Sequence, residues 1–168
     1  MLEAYLHEKK ELEEKQQEMK KAGGVQDMRM KRRLELIHHI LEKNRIETEE
    51  NEDAKDALMH STLYVELQQR AHAPRGEGFV TAEEWNALCQ LLASVYPHFF
   101  EHLEFLCAPN ENELHVSLLT KLLFRPADIA RLTGLKPGSI SSIRVRLYRK
   151  ATGENGTADM WDQIVLSL

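Results

Sequence analysis

Across residues 26–44 the positions Met30, Leu34, Ile37, Leu41 and Asn44 recur at alternating spacings of three and four. Leu36 and Ile40 widen this stripe to the breadth of a core-facing helix. Upstream, Leu2, Tyr5, Lys9, Leu12, Gln16 and Met19 keep the same spacing within residues 1–22, a run of helix formers free of Pro and Gly. With Lys9 and Gln16 polar, this is a weak heptad seam. Gly23–Gly24 separates the two segments. The stripe through Leu34, Ile37 and Leu41 reads equally as a dimer seam or as a core helix packed on residues 61–107. Between Glu42 and Asp56 seven acids face three bases. Like charges at i, i+4 repel, which predicts a helix that frays or bends there.

Local stop and start signals divide the rest. Ser61 caps "TLYVELQQRA", and "HAPRGEGF" is a loop by its Pro and Gly residues. Thr81 and Glu84 form a capping box that opens a helix through Tyr96, with Trp85, Leu88, Leu92 and Val95 on one face. Pro97 suits the first turn of a next helix through Cys107, whose apolar side is Phe99, Leu103 and Leu106. Asn110 and Glu113 form another capping box, for a helix to about Leu122. Pro126 starts the short helix "PADIARLT", which Gly134 stops. Lys136–Pro137 opens a longer helix through about Ala151, and Thr157 caps the last, "ADMWDQIVLSL". No useful strand alternation occurs, so the expected fold is all-α. It comprises a long helical segment with coiled-coil character (1–60), a helical connector (61–109) and a four-helix unit (110–168).

Charge changes the picture at one place. The chain carries a formal net charge of −5, yet residues 121–150 hold eight bases and a single acid, Asp128. That is +7 locally and −12 elsewhere. A short helix, a tight turn holding Gly134 and a longer basic helix form a helix-turn-helix pattern. At 100° per residue, Ile140, Ile143 and Leu147 make the buried stripe of the longer helix. Gly138, Ser141, Ser142, Val145 and Arg149 fall opposite. A side with small residues and flanking bases suits a helix that sinks into the major groove of DNA and meets phosphates along its edges. None of Ser141, Ser142 and Val145 can make a bidentate base contact, so phosphate contacts should dominate.

Residues 110–168 resemble the LuxR/GerE-type effector domain, a four-helix DNA-binding module. Within "IARLTGLKPGSISSIRVRLYRK", Ile129–Ala130, Leu135, Ser139–Ile140, Arg144, Leu147 and Lys150 fall in the family's register. Over about residues 60–168 the chain resembles, more narrowly, the cytoplasmic end of bacterial transcriptional regulators built from tetratricopeptide repeats, a membrane helix and a coiled coil. "HSTLYVEL", "TAEEWNALCQLL" and "YPHFFEHL" carry this second likeness. Three departures stand out: Lys136 replaces a small capping residue, Arg125 replaces a frequent Ser, and "APNENELHVS" lacks the usual LT-x-x-E opening, although Asn110 and Glu113 can play the capping parts. The resemblance implies double-stranded DNA binding by a recognition helix at about 137–151. Ser141, Ser142 and Val145 would face the groove, with Lys136, Ser139, Arg146 and Arg149 at phosphate positions. Arg125, Arg144 and Lys150 complete the expected phosphate contacts. It also implies that the last helix, through Trp161 and Val165, contributes to dimer contacts, although Trp161, Ile164, Val165 and Leu168 read as well as intramolecular core; the sequence itself places the main homodimer contact before residue 60, at the stripe through Leu34, Ile37 and Leu41.

Other chemistry is weakly represented. His98 and His102 stand at i, i+4 but lack a third metal ligand, and no nucleophile elbow, Walker loop or CxxC pair occurs. The reading is therefore of a non-enzyme without cofactor or metal. Cys89 and Cys107 suit thiols of a reducing compartment. A charged first twenty residues and no long apolar run predict a cytoplasmic chain. If residue 1 is the edge of a fragment, this is the cytoplasmic part of a membrane-anchored regulator with an upstream sensor region. A charged fraction of 29% against 7% aromatics suits long solvated helices joined to a modest core. The net acidity leaves an alternative, a protein-interaction module that keeps the helix-turn-helix fold.

Overall fold

The computed structural model describes residues 14, 31, 33–39, 52–74 and 78–168. Among these residues every regular element is helical and no strand occurs. Residues 33–39 are helical. Eight further helices follow: α1 (Glu52–Met59), α2 (Thr62–Ala71), α3 (Ala82–Val95), α4 (Phe99–Cys107), α5 (Glu111–Lys121), α6 (Pro126–Thr133), α7 (Pro137–Thr152) and α8 (Ala158–Ser167). The heptad seam of residues 2–19, the Gly23–Gly24 break, Met30, Leu41 and Asn44 lie outside the described residues.

The local signals explain most helix starts. The Ser61 hydroxyl accepts from the Tyr64 N–H at 3.3 Å. The Thr81 hydroxyl accepts from the Glu84 N–H while the Glu84 carboxylate accepts from the Thr81 N–H at 2.8 Å. Asn110 and Glu113 repeat this reciprocal pair at 3.0 and 2.9 Å. The Thr157 hydroxyl caps α8 through the Met160 N–H. The expected fraying or bending between Glu42 and Asp56 falls mostly outside the described residues; residues 52–56 open α1, where Glu52 and Asp53 occupy the first turn and complement the positive end of the helix dipole. Buried Leu58 then anchors that helix to the core. Pro97 does not start α4. The Phe99 N–H donates to the Tyr96 carbonyl at 3.1 Å, closing a turn around Pro97–His98, and the helix begins at Phe99.

α5 lies against α6, α7 and α8, with α6 and α8 also on α7. The connector helices join this group directly: α2 packs on α6, and α4 on α7. Three hydrogen bonds cross the same seam. The Tyr64 hydroxyl donates to the Leu122 carbonyl at 3.2 Å, Arg131 Nη1 to the Ala71 carbonyl at 2.8 Å, and the Val80 N–H to the Leu132 carbonyl at 3.0 Å. One buried cluster runs from Ile37 and Leu58 to Leu168, so residue 109 marks no break in the core.

Of the two readings of the apolar stripes, dimer surface or core, the packing of the described residues follows the core one. Trp161 and Val165 are fully buried within the protomer, because α8 turns its apolar face onto α5 and α7. Leu34 and Ile37 are buried too, and Ile37 belongs to the same core cluster. None of these four side chains is available to a partner.

Candidate nucleic-acid interface

The turn between α6 and α7 is built by three residues. Gly134 ends α6 in the left-handed conformation, with φ of 74°. A Cβ there would also come within 3.2 Å of the Phe79 ring, so glycine answers both a backbone and a packing need. Lys136 is extended, and Pro137 takes the first position of α7, where its missing N–H costs nothing. Ile140 and Leu147 are fully buried and Ile143 nearly so. Gly138, Ser141, Ser142, Val145, Arg146 and Arg149 are exposed, and Ser139 is half-buried. The expected groove-facing residues thus share one solvent face. A Cβ added at Gly138 would meet nothing within 4 Å. No internal packing calls for a glycine there. The Ser142 hydroxyl donates to the Gly138 carbonyl at 3.0 Å, which leaves both oxygen lone pairs as acceptors.

The basic residues sort into three groups. Lys136 and Arg149 are exposed and make no ion pair among the described residues. Arg125, Arg146 and Lys150 are paired but partly open. Arg125 Nε donates to buried Asp128 at 2.9 Å. Arg146 Nε and Lys150 Nζ both donate to the Glu113 carboxylate, at 2.8 and 2.7 Å. Burial alone would raise the Glu113 pKa, but hydrogen bonds from Lys150, the Asn110 N–H and Arg146 outweigh it and hold the carboxyl below the usual range. Arg144 stands apart. Its side chain is 5% exposed and locked to Asp162 and Asp159 of α8, with Nε donating to Asp162 Oδ1 at 2.8 Å. Arg144 is therefore corrected from a phosphate contact to an internal brace between α7 and α8.

The acidic partners Glu113, Asp159 and Asp162 escaped the sequence reading. The capping box identified Glu113 as a helix start but not as the carboxylate that holds Arg146 and Lys150. These two bases stand at i, i+4 on one helix face, a spacing that calls for a shared counter-charge. Asp162 gave no signal before α8 was placed on α7. The N-terminal side also reaches this site, since Arg33 Nη1 donates to the Lys150 carbonyl at 2.9 Å.

The remaining candidates form no second site. The His98 and His102 rings lie 5.8 Å apart, and His98 faces Glu101 at 3.5 Å. Among the described residues no group of three or more metal-ligating side chains occurs. Cys89 and Cys107 are both free thiols; burial raises the pKa of each, that of Cys107 to about 12. No described helix is long and apolar enough to cross a membrane. In comparisons with known proteins, no family model, no curated protein and no solved structure matches the chain.

Proposed function

We propose that the chain binds double-stranded DNA as a transcriptional regulator, with α7 entering the major groove. The supporting observation is the solvent face of α7. Gly138, Ser141, Ser142 and Val145 give it a low profile, and Lys136, Arg146 and Arg149 border it. The open space above Gly138 fits close approach of a groove wall. The resemblance of residues 110–168 to LuxR/GerE-type effector domains agrees with this reading. Affinity comes mainly from phosphate contacts, because the groove face lacks a bidentate base reader. A homodimer on two half-sites about one helical turn apart would raise affinity, through a surface other than Leu34, Ile37, Trp161 or Val165.

The test is a titration of the full chain with duplex DNA across salt concentrations. The expected log K against log salt falls with a slope of about −2 to −4 per copy, as roughly that many phosphates are neutralised. Ser142→Glu puts a carboxylate at the centre of the face. It should abolish binding with thermal stability unchanged, since the site is exposed. Unimpaired binding by this variant rejects the groove role of α7. A second reading, a protein-binding face, draws on half-exposed Val145 and on the partial neutralisation of Arg146 and Lys150 by Glu113. Binding that ignores salt, or no DNA binding at all, would favour it.

A further inference from the structure

A cavity of about 250 Å³ opens between α1, the end of α3, α5 and α8. Its polar lining is cationic and aromatic: Lys55, Lys121 and Tyr96. Lys121 is 8% exposed, and among the described residues its ammonium pairs with no carboxylate. Its Nζ donates to the Leu166 carbonyl at 3.1 Å and lies 4.1 Å from the centre of the Tyr96 ring. The Phe99 ring lies farther off, at 5.9 Å, and a single hydrogen-bond acceptor leaves donor capacity on a group that has three N–H bonds. Lys55 adds a second positive charge beside it, and its own counter-ion, Glu52, is largely exposed at 3.6 Å. Two cations around a cavity without a lining carboxylate form an incomplete electrostatic arrangement, because a buried charge is costly until an opposite charge answers it. Burial, and then Lys55, push the Lys121 pKa down to about 7, in line with that deficit.

The rest of the lining is aliphatic. Leu58 and Met59 form one wall, and Leu123 and Leu166 stand 60% and 44% exposed at the mouth. An engineered apolar cavity of about 150 Å³ accepts benzene, so this one has room for a short chain as well as a head group. We propose that the cavity binds a short aliphatic monocarboxylate. Its carboxylate lies between the Lys121 and Lys55 ammonium groups, and its chain runs along Leu58, Met59 and Leu166. The inference stands independently of DNA binding by α7.

Hexanoate is the probe, titrated into the full chain and followed by calorimetry and by the methyl resonance of Met59. Saturable binding that shifts this resonance is expected. Hexanol, which lacks the charge, and acetate, which lacks the chain, should each bind at least about tenfold more weakly. Lys121→Met keeps the aliphatic stem and removes a buried charge, so the fold should be retained. Losing a charged hydrogen bond should weaken hexanoate binding roughly 10–100-fold. Lys55→Gln, nearer the surface, should weaken it less. Hexanol binding as tightly as hexanoate, undiminished binding by Lys121→Met, or no saturable hexanoate binding would each overturn the proposal.

Discussion

Arg146 and Arg149 look interchangeable in sequence: two arginines on the flank of a basic helix. Glu113 separates them. Arg149 is exposed and makes no ion pair among the described residues, so Arg149→Ala should reduce the salt slope of DNA binding by roughly 1 and leave stability unchanged. Arg146→Ala should weaken DNA binding similarly but also remove one donor from a fully buried carboxylate, costing about 1 kcal/mol. Urea unfolding of the two variants, beside their DNA titrations, checks the distinction; equal stability would mean that Arg146 contributes nothing to holding Glu113. Lys121 carries a second residue-scale expectation. Its pKa falls from an ordinary 10.5 to about 7 on folding. Below pH 7 the amine is charged in both states, and the folded state bears the whole cost of burying it. Between about pH 7 and 10.5 the unfolded chain holds the proton and the folded chain does not, so stability rises with pH. Within that window the rise should approach roughly 1.4 kcal/mol per pH unit; the Tyr96 ring, which favours the charged form, acts to narrow the window from its lower end. Comparing wild type with Lys121→Met at pH 7 and pH 9 isolates it: the stability advantage of the Met variant should shrink at the higher pH. A constant difference would place the Lys121 pKa outside that window.

At the scale of elements, what was legible in the sequence was what is decided within a few residues. Ser61, the Thr81–Glu84 and Asn110–Glu113 boxes, Thr157, and the Pro126 and Pro137 starts are short-range hydrogen-bonding or steric devices, and each opens a helix where expected. The buried and open faces of α7 were equally legible, because a helix of known period fixes which residues share a side. Pro97 failed as a start because two acceptable local solutions compete. Proline suits a first helical turn and a tight turn alike, and the Tyr96–Phe99 hydrogen bond selects the second. At residues 52–56 like-charge repulsion was legible, whereas the dipole of a helix beginning at Glu52 and the burial of Leu58 were not. Roles that depend on a distant partner were not legible at all. Arg144 carries the same charge as Arg149, and only the arrival of α8 eighteen residues later turns it inward to Asp162. The same helix hides Trp161 and Val165, which as sequence offered an equally good surface stripe.

At the scale of the molecule, the expected divide between a connector and a C-terminal domain becomes a question of cooperativity. Residues on both sides of position 109 share one buried cluster, and α2 and α4 pack directly on α6 and α7. Across the same divide the Trp85 indole of α3 stacks on the His115 ring of α5, with centroids 3.7 Å apart and planes 4° from parallel. Separate domains would unfold separately, whereas a continuous core should melt as a unit. The two tryptophans are well placed to decide, since Trp85 lies in the connector and Trp161 in the last helix. Trp161→Phe leaves Trp85 as the fluorescent reporter, and Trp85→Phe leaves Trp161. In each variant the fluorescence midpoint in urea should coincide with that of the far-ultraviolet helical signal. Trp161→Phe should lower the common midpoint, because Trp161 is fully buried, while Trp85→Phe should lower it less, from a half-buried site. A fluorescence transition at Trp85 that precedes loss of the remaining helix would show that residues 61–109 open on their own. The consequence reaches the proposed DNA face. If the unit is single, a change that loosens α2 or α4 also loosens α6 and α7, and substitutions far from α7 should weaken DNA binding in proportion to the stability they remove. If it is divided, such substitutions should leave binding untouched until the connector is fully unfolded.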